Sequence, residues 1–217
     1  MRHEARPPRG VRSILLGLVL VLPTVGGCAP SQPEGTLALT SRTARPVRLD
    51  ATFHHGGYAD EAAGLSLVLS TVPLDALRDG DFDEAQVVDI RYMWEPIAGR
   101  TPVNLNATNL TIRHVVLVGD EVGVYGGGGF GWPRGTPGKT GFGVQITGSS
   151  VSLVDSTDGF QDLLSPATLL GTVGAPLDAK TAVGMRDAVS QLVTDRLGRP
   201  RWVGPRENDR LDLARLP

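Results

Sequence analysis

Apolar and polar residues alternate along this chain in short runs. Val47, Leu49, Ala51 and Phe53 alternate with Arg48, Asp50 and Thr52, and Gly56-Gly57 follows. A period of two is that of a half-buried strand, so 47–55 reads as the first strand, ended by the two glycines. Leu65, Leu67 and Leu69 repeat the period against Ser66 and Ser70. It is plainest at 88–95, where Val88, Ile90, Tyr92 and Trp94 take one phase and Asp89, Arg91, Met93 and Glu95 the other. That pattern predicts one buried and one wet face. The run 109–118 begins by alternating and ends in Val115-Val116-Leu117-Val118, which predicts cover on both faces in its second half. Gly119-Asp120 suits a tight hairpin into a returning strand at 121–125. Phe142, Val144 and Ile146 open another hairpin, with Gly148-Ser149-Ser150 as its turn and 151–155 returning. A last strand is expected at 168–173.

Helical signals are fewer. Pro73 opens a short turn over 74–78, closed by Gly80, and a short helix is expected at 159–164, stopped by Pro166. The strongest lies at 179–197. Met185, Val189, Leu192 and Val193 form an apolar stripe there, Asp178 is a suitable N-cap, Gly198 a stop, and Pro200 lies beyond. Gly184 within it costs ~1 kcal/mol relative to Ala, so packing has to support the helix. These elements predict a mainly β fold, an antiparallel β-sandwich or bent sheet of seven to eight strands with one C-terminal helix; α+β is the alternative.

The first residues follow a different pattern. Arg2, Arg6, Arg9 and Arg12 precede the apolar run 14–22, and Pro23 and small residues lead to Cys28. This is the layout of a secretory signal, and the run is shorter than the ~20 apolar residues a membrane span needs. Val25-Gly26-Gly27-Cys28 resembles the lipobox of bacterial lipoproteins. The resemblance implies cleavage after Gly27 and a lipidated Cys28, and Ala29 in the next position implies outer-membrane delivery facing the periplasm. The stretches 107–114 and 123–127 resemble uncharacterised bacterial envelope lipoproteins, a resemblance that carries no activity. The expected organisation is a signal peptide at 1–27, a lipidated tether at 28–43, one β-rich domain at 44–198 and a basic Pro/Arg tail at 199–217.

Composition narrows the chemistry. Cleavage would leave 190 of the 217 residues, with 17 basic and 22 acidic side chains and a net charge of −5. That surface is a poor match for nucleic acid. Cys28 is the only cysteine, so neither an internal disulfide nor a thiolate metal cluster is available.

Gly126 to Gly131 satisfies G-x-G-x-x-G, but Trp132-Pro133 follows where a dinucleotide site needs a helix. The stretch reads instead as a bend or a close backbone approach. A further reading is a loop offering Phe130, Trp132 and Arg134 to a ligand. Gly138-Lys139-Thr140 lacks the earlier glycine of a phosphate loop, and the acidic run from Asp79 to Glu84 lacks the spacing of an EF-hand. His54 and His55, with Asp60 and Glu61 downstream, carry metal-ligand chemistry. Strand neighbours point to opposite faces, however, so a packed His55 and a wet His54 are expected, with no metal and no cofactor. His114 is in phase with Ile112 and Val116 and is expected to be buried with a hydrogen-bond partner. The leading functional expectation is a membrane-anchored envelope lipoprotein, an interaction or structural module for an envelope protein or glycan. The alternative is a periplasmic hydrolase whose site assembles only in three dimensions.

Overall fold

The computed structural model describes residues 33–61, 64–95 and 108–201. Gly27, Cys28 and all but the first three residues of the expected tail at 199–217 lie outside them. The described elements are β1 (Glu34–Ser41), β2 (Arg48–Thr52), β3 (His55–Glu61), β4 (Gly64–Ser70), α1 (Leu74–Asp79), β5 (Glu84–Tyr92), β6 (Leu110–Val118), β7 (Glu121–Gly135), β8 (Gly141–Ser156), β9 (Ala167–Pro176) and α2 (Ala179–Leu197). The fold is mainly β, with nine strands among the described residues rather than seven or eight.

The strands form a single antiparallel sheet in the order β2-β1-β9-β8-β7-β6-β5-β4-β3. Its two edge strands are consecutive in the chain, separated only by Phe53 and His54. Three Cα steps span at most ~11 Å, so the sheet has to curl until its edges are neighbours. The joint shows how. The Phe53 amide donates to the Gly35 carbonyl on β1 at 2.9 Å, and the next amide, that of His54, donates to the Ser70 carbonyl on β4 at 3.4 Å. Further along, Tyr58 on β3 bridges Leu177 in parallel, just past the end of β9. The result is a bent sheet, not a sandwich.

Curling gives the sheet two covered faces. Leu39, Phe53, Leu67, Ile90, Ile112, Phe142 and Val173 fill the concave side. On the convex side, Ala182, Met185, Val189 and Val193 of α2 lie in one cluster with Val68, Val87, Val115 and Val124. This explains the run at 115–117, with Val115 and Leu117 under α2 and Val116 on the concave side, whereas Val118, expected to be covered too, is 51% exposed. The helix also corrects the wet face expected for β5: Asp89 is 2% exposed under α2, where its Oδ2 accepts from Arg91 Nη2 at 2.9 Å and Arg186 Nε at 3.3 Å. Helix α2 has the bounds its periodicity predicts. The Asp178 side chain accepts from the Thr181 amide at 2.9 Å, and Gly198 takes the left-handed conformation at the C-terminus.

Several other boundaries move because pairing overrides local signals. The expected tether at 28–43 contains β1, which is held on both sides by β2 and β9 although Pro30 and Pro33 precede it and Gly35 lies within it. The first strand changes partner at Phe53–His54, and Gly56-Gly57 lie inside β3 rather than ending it. A Cβ on Gly57 would meet the Asp178 carbonyl, so the close approach of the α2 N-terminus requires glycine there. The glycine-rich stretch is strand, not loop: β7 runs through it to Gly135. The expected hairpin at 142–155 is one continuous strand, β8. Its Gly148, Ser149 and Ser150 pair with Phe130, Gly129 and Gly128, while the ladder to β9 is interrupted between Ile146 and Val151. A bulge absorbs the residues that read as a turn. The stretch 159–164 is loop rather than helix. Its Phe160 ring fills the space that a Cβ on Gly123 would need.

Candidate functional site

The curl does not close evenly. Among the described residues β2 pairs only with β1. Its other edge faces a cleft of about 380 Å³, bounded across the seam by Thr71, Val72, Glu84–Gln86 and Val116–Val118. A strand paired on one side turns the main-chain groups of alternate residues away from its partner. The Asp50 carbonyl accepts from Gln86 Nε2 at 3.3 Å, so it points across the seam. The N–H and C=O groups of Arg48, Asp50 and Thr52 therefore form the open edge. The cleft offers apolar surface beside that edge through Leu49, Ala85, Val116 and Val118, the last 51% exposed at the rim.

The wall opposite β2 is fixed by side-chain bonds. Thr71 and Gln86 clasp each other: the Gln86 amide donates to Thr71 Oγ1 at 2.9 Å, and the Thr71 amide donates to the Gln86 carbonyl at 3.0 Å. Gln86 shares the concave face with Val88, and its Oε1 lies 3.0 Å from His114 Nε2. Because its NH₂ group serves Asp50, its oxygen faces the imidazole, and His114 carries its proton on Nε2. His114 Nδ1 is buried without a hydrogen-bond partner among the described residues. Burial pushes the His114 pKa down to about 4, so the ring is neutral at neutral pH. The strut Asp50–Gln86–His114 thus joins β2, β5 and β6 across the opening.

No family model, curated protein or solved structure matches the chain. What the cleft can do follows from its chemistry. Outward-facing peptide groups on a strand edge, with apolar surface beside them, are what the addition of a further strand uses.

The residues expected to bind a ligand lie elsewhere. Phe130, Trp132 and Arg134 belong to β7. Phe130 is buried, with its ring 6.2 Å from Trp94 and 5.2 Å from Trp132, both edge-on. Trp132 is half-buried and Arg134 exposed. Trp94, expected on the buried face of β5, lies past the end of that strand and is 41% exposed. His54 is exposed at the joint and His55 half-buried at the start of β3. Among the described residues no group of three or more His, Cys, Asp or Glu could hold a metal ion. The cleft residues Asp50, Gln86 and Thr71 carried no sequence motif. The one available signal was Gln86 itself, a polar residue in the buried phase of Val88 and Ile90.

Proposed function

We propose that the chain is an envelope lipoprotein whose curled sheet serves as an interaction module, taking up an extended polypeptide segment along β2. The lipobox-like Val25-Gly26-Gly27-Cys28 supports the anchored location. The observation that carries the interaction is the open edge of β2 beside an apolar cleft. Natural sheets cover, shorten or charge such edges to prevent unwanted pairing. Here the edge is short and flanked by Arg48 and Asp50, which pair with each other at 2.7 Å, so pairing is restricted to segments that fit the cleft. Main-chain recognition favours a protein partner over a glycan.

The hydrolase alternative requires a histidine joined to a carboxylate and a hydroxyl. His114 is joined to an amide and His54 is exposed at the joint, so the geometry supports binding better than hydrolysis.

A photo-crosslinking residue in place of Thr52, in the full chain in its own membranes, tests the reading. The expected result is a discrete adduct with a protein, absent when the same group replaces Asp187 on the exposed side of α2. Equal labelling from both positions, or none from Thr52, overturns it. Intact-mass measurement of the mature N-terminus tests the anchor independently: acyl mass on Cys28 is expected, and a chain that starts elsewhere or lacks that mass rejects it.

A further inference from the structure

The two ends of the curled sheet differ in a way that bears on its orientation. Strand β1 starts at one end and β9 runs antiparallel to it. Following the ladder from there, Glu34 lies level with Gly174, Gly174 with Gly143, and Gly143 with Arg134. The end of β7 therefore stands at the end where β1 begins. Strand β5 runs in the same direction as β7, since each is antiparallel to β6, so Met93 and Trp94 emerge at this end too. The β5 and β6 wall of the cleft lies toward the other end, where β6 and β5 meet at Val118 and Glu84, and its β2 wall runs from the level of Leu39 to that of Thr36.

The β1 end carries an aromatic cluster at its surface. Trp94 is 41% and Met93 53% exposed, and Trp132 is half-buried. Phe130 sits beneath the two tryptophans and holds both edge-on. Trp94 Nε1 donates to the Thr108 carbonyl at 3.1 Å, which fixes the ring and satisfies its polar atom. Leu177, just past the end of β9, adds a further exposed apolar side chain at this end. Arg134 and Lys139 are exposed at this end of the sheet, as are Glu34, Asp60 and Glu95, so the charge there is mixed and the aromatic groups distinguish the surface. Tryptophan is the side chain most suited to a membrane–water interface, with an apolar body and a polar edge.

The chain outside the described residues adds the decisive constraint. Cys28 precedes Glu34 by six residues in the sequence. Six residues reach at most ~20 Å even when fully extended, so a lipid on Cys28 would keep the β1 end beside the bilayer. We infer that the Met93–Trp94–Trp132 surface docks on the lipid headgroup region, which orients the sheet with its β2 cleft facing away from the membrane. This rests on the lipoprotein reading proposed above. Docking adds a second membrane contact to the acyl chains and gives the anchored domain one preferred orientation.

Two reporter forms of the full lipidated chain test the orientation. One keeps Trp94 as its single tryptophan, with Trp132→Phe and Trp202→Phe. The other keeps Trp94 and Trp132 and carries an encoded coumarin side chain in place of Val118, a separately excited reporter on the exposed rim of the cleft. Each is reconstituted into vesicles of phosphatidylethanolamine and phosphatidylglycerol bearing a nitroxide quencher at the headgroup end of the acyl chain, and Cys28 acylation is established by intact mass. The expected result is a blue-shifted Trp94 emission that loses roughly half its intensity to the quencher, with little loss from position 118. An acylated chain whose Trp94 is not quenched, or whose two reporters are quenched equally, overturns the docking and leaves the anchor standing. A chain without acyl mass on Cys28 overturns the anchored reading, and the docking with it. A chain with Trp94→Ala and Trp132→Ala, still acylated, should lose the orientation, read as equal quenching of a coumarin at 118 and one at 183.

Discussion

Gln86 Nε2 donates to the Asp50 carbonyl at 3.3 Å, a side-chain bond that crosses the seam of the sheet where no ladder closes it. The same amide meets His114 through its oxygen. Replacing Gln86 by Leu keeps the bulk and removes both bonds, leaving a buried imidazole N–H without an acceptor. An unsatisfied buried donor costs ~1–3 kcal/mol, so the loss should fall in that range by denaturant unfolding. Hydrogen exchange should also quicken at β2 before the rest of the sheet. A loss confined to the noise would mean that the strut does not hold the seam.

Stability should fall on acidification through the titration of His114. Its folded pKa is about 4, below the unfolded value of ~6.5. Between these values the unfolded chain binds the proton and the folded chain does not, so stability rises with pH across that window and falls as pH drops from ~6.5 to ~4. The contribution of this one group is at most about 3 kcal/mol. His114→Asn should flatten that part of the profile, measured as denaturation midpoint against pH. An unchanged slope would place the acid sensitivity elsewhere.

Asp89 is the buried charge that α2 covers. Arg186, on α2, also donates from Nη2 to the Ser66 hydroxyl at 2.8 Å, so Asp89→Ala leaves a nearly buried guanidinium with only a neutral partner. Breaking a buried pair from one side costs ~3–5 kcal/mol. Arg186→Met should cost less, because Arg91 still serves Asp89. The double variant should cost less than the sum of the two, measured by equilibrium unfolding. Strict additivity would mean that the groups act independently.

Trp94 and Phe142 separate surface from core. Phe142 is fully buried, with its ring 5.7 Å from Tyr58 and 5.6 Å from Tyr92. Phe142→Ala should cost ~3–5 kcal/mol. Trp94→Ala removes a ring already in contact with solvent and should cost about 1 kcal/mol in solution. The order of the two losses in denaturant unfolding is the check. A larger loss at Trp94 would assign its cluster to folding rather than to surface contact.

Some of this was legible in the chain. Helix α2 carried its stripe, its N-cap and its glycine stop in adjacent residues, and it formed between those marks. The buried phase of β5 and the covered run Val115-Val116-Leu117 of β6 were equally local, since a period of two records which residues meet a core. The cleft was not legible, because it is made by what fails to pair. No residue of β2 signals that its outer edge stays open; that depends on where β4 and β5 stop around the curl. The cluster of Trp94, Phe130 and Trp132 was visible only as two residues of a supposed loop, since Trp94 is distant in sequence and joins them through the ladder.

Sequence alone determined the β character, the C-terminal helix and the burial of His114, because each depends on neighbours within a few positions. Tertiary structure decided the rest. Gly148-Ser149-Ser150 would make a turn in isolation, yet they lie in a strand because β7 offers partners along the whole length of β8. Arg91 would be wet on a bare sheet, yet it pairs with a buried Asp89 because a helix 97 residues further along the chain from that aspartate lies over it. Phe53 and His54 would continue a strand, yet there the chain changes partners, from β1 to β4, because a nine-stranded sheet whose edges are joined by two residues has to curl round on itself. Local preferences are worth tenths of a kcal/mol to ~1 kcal/mol per residue, and the burial and pairing gained by curling are larger, so wherever the two disagree the long-range contacts prevail.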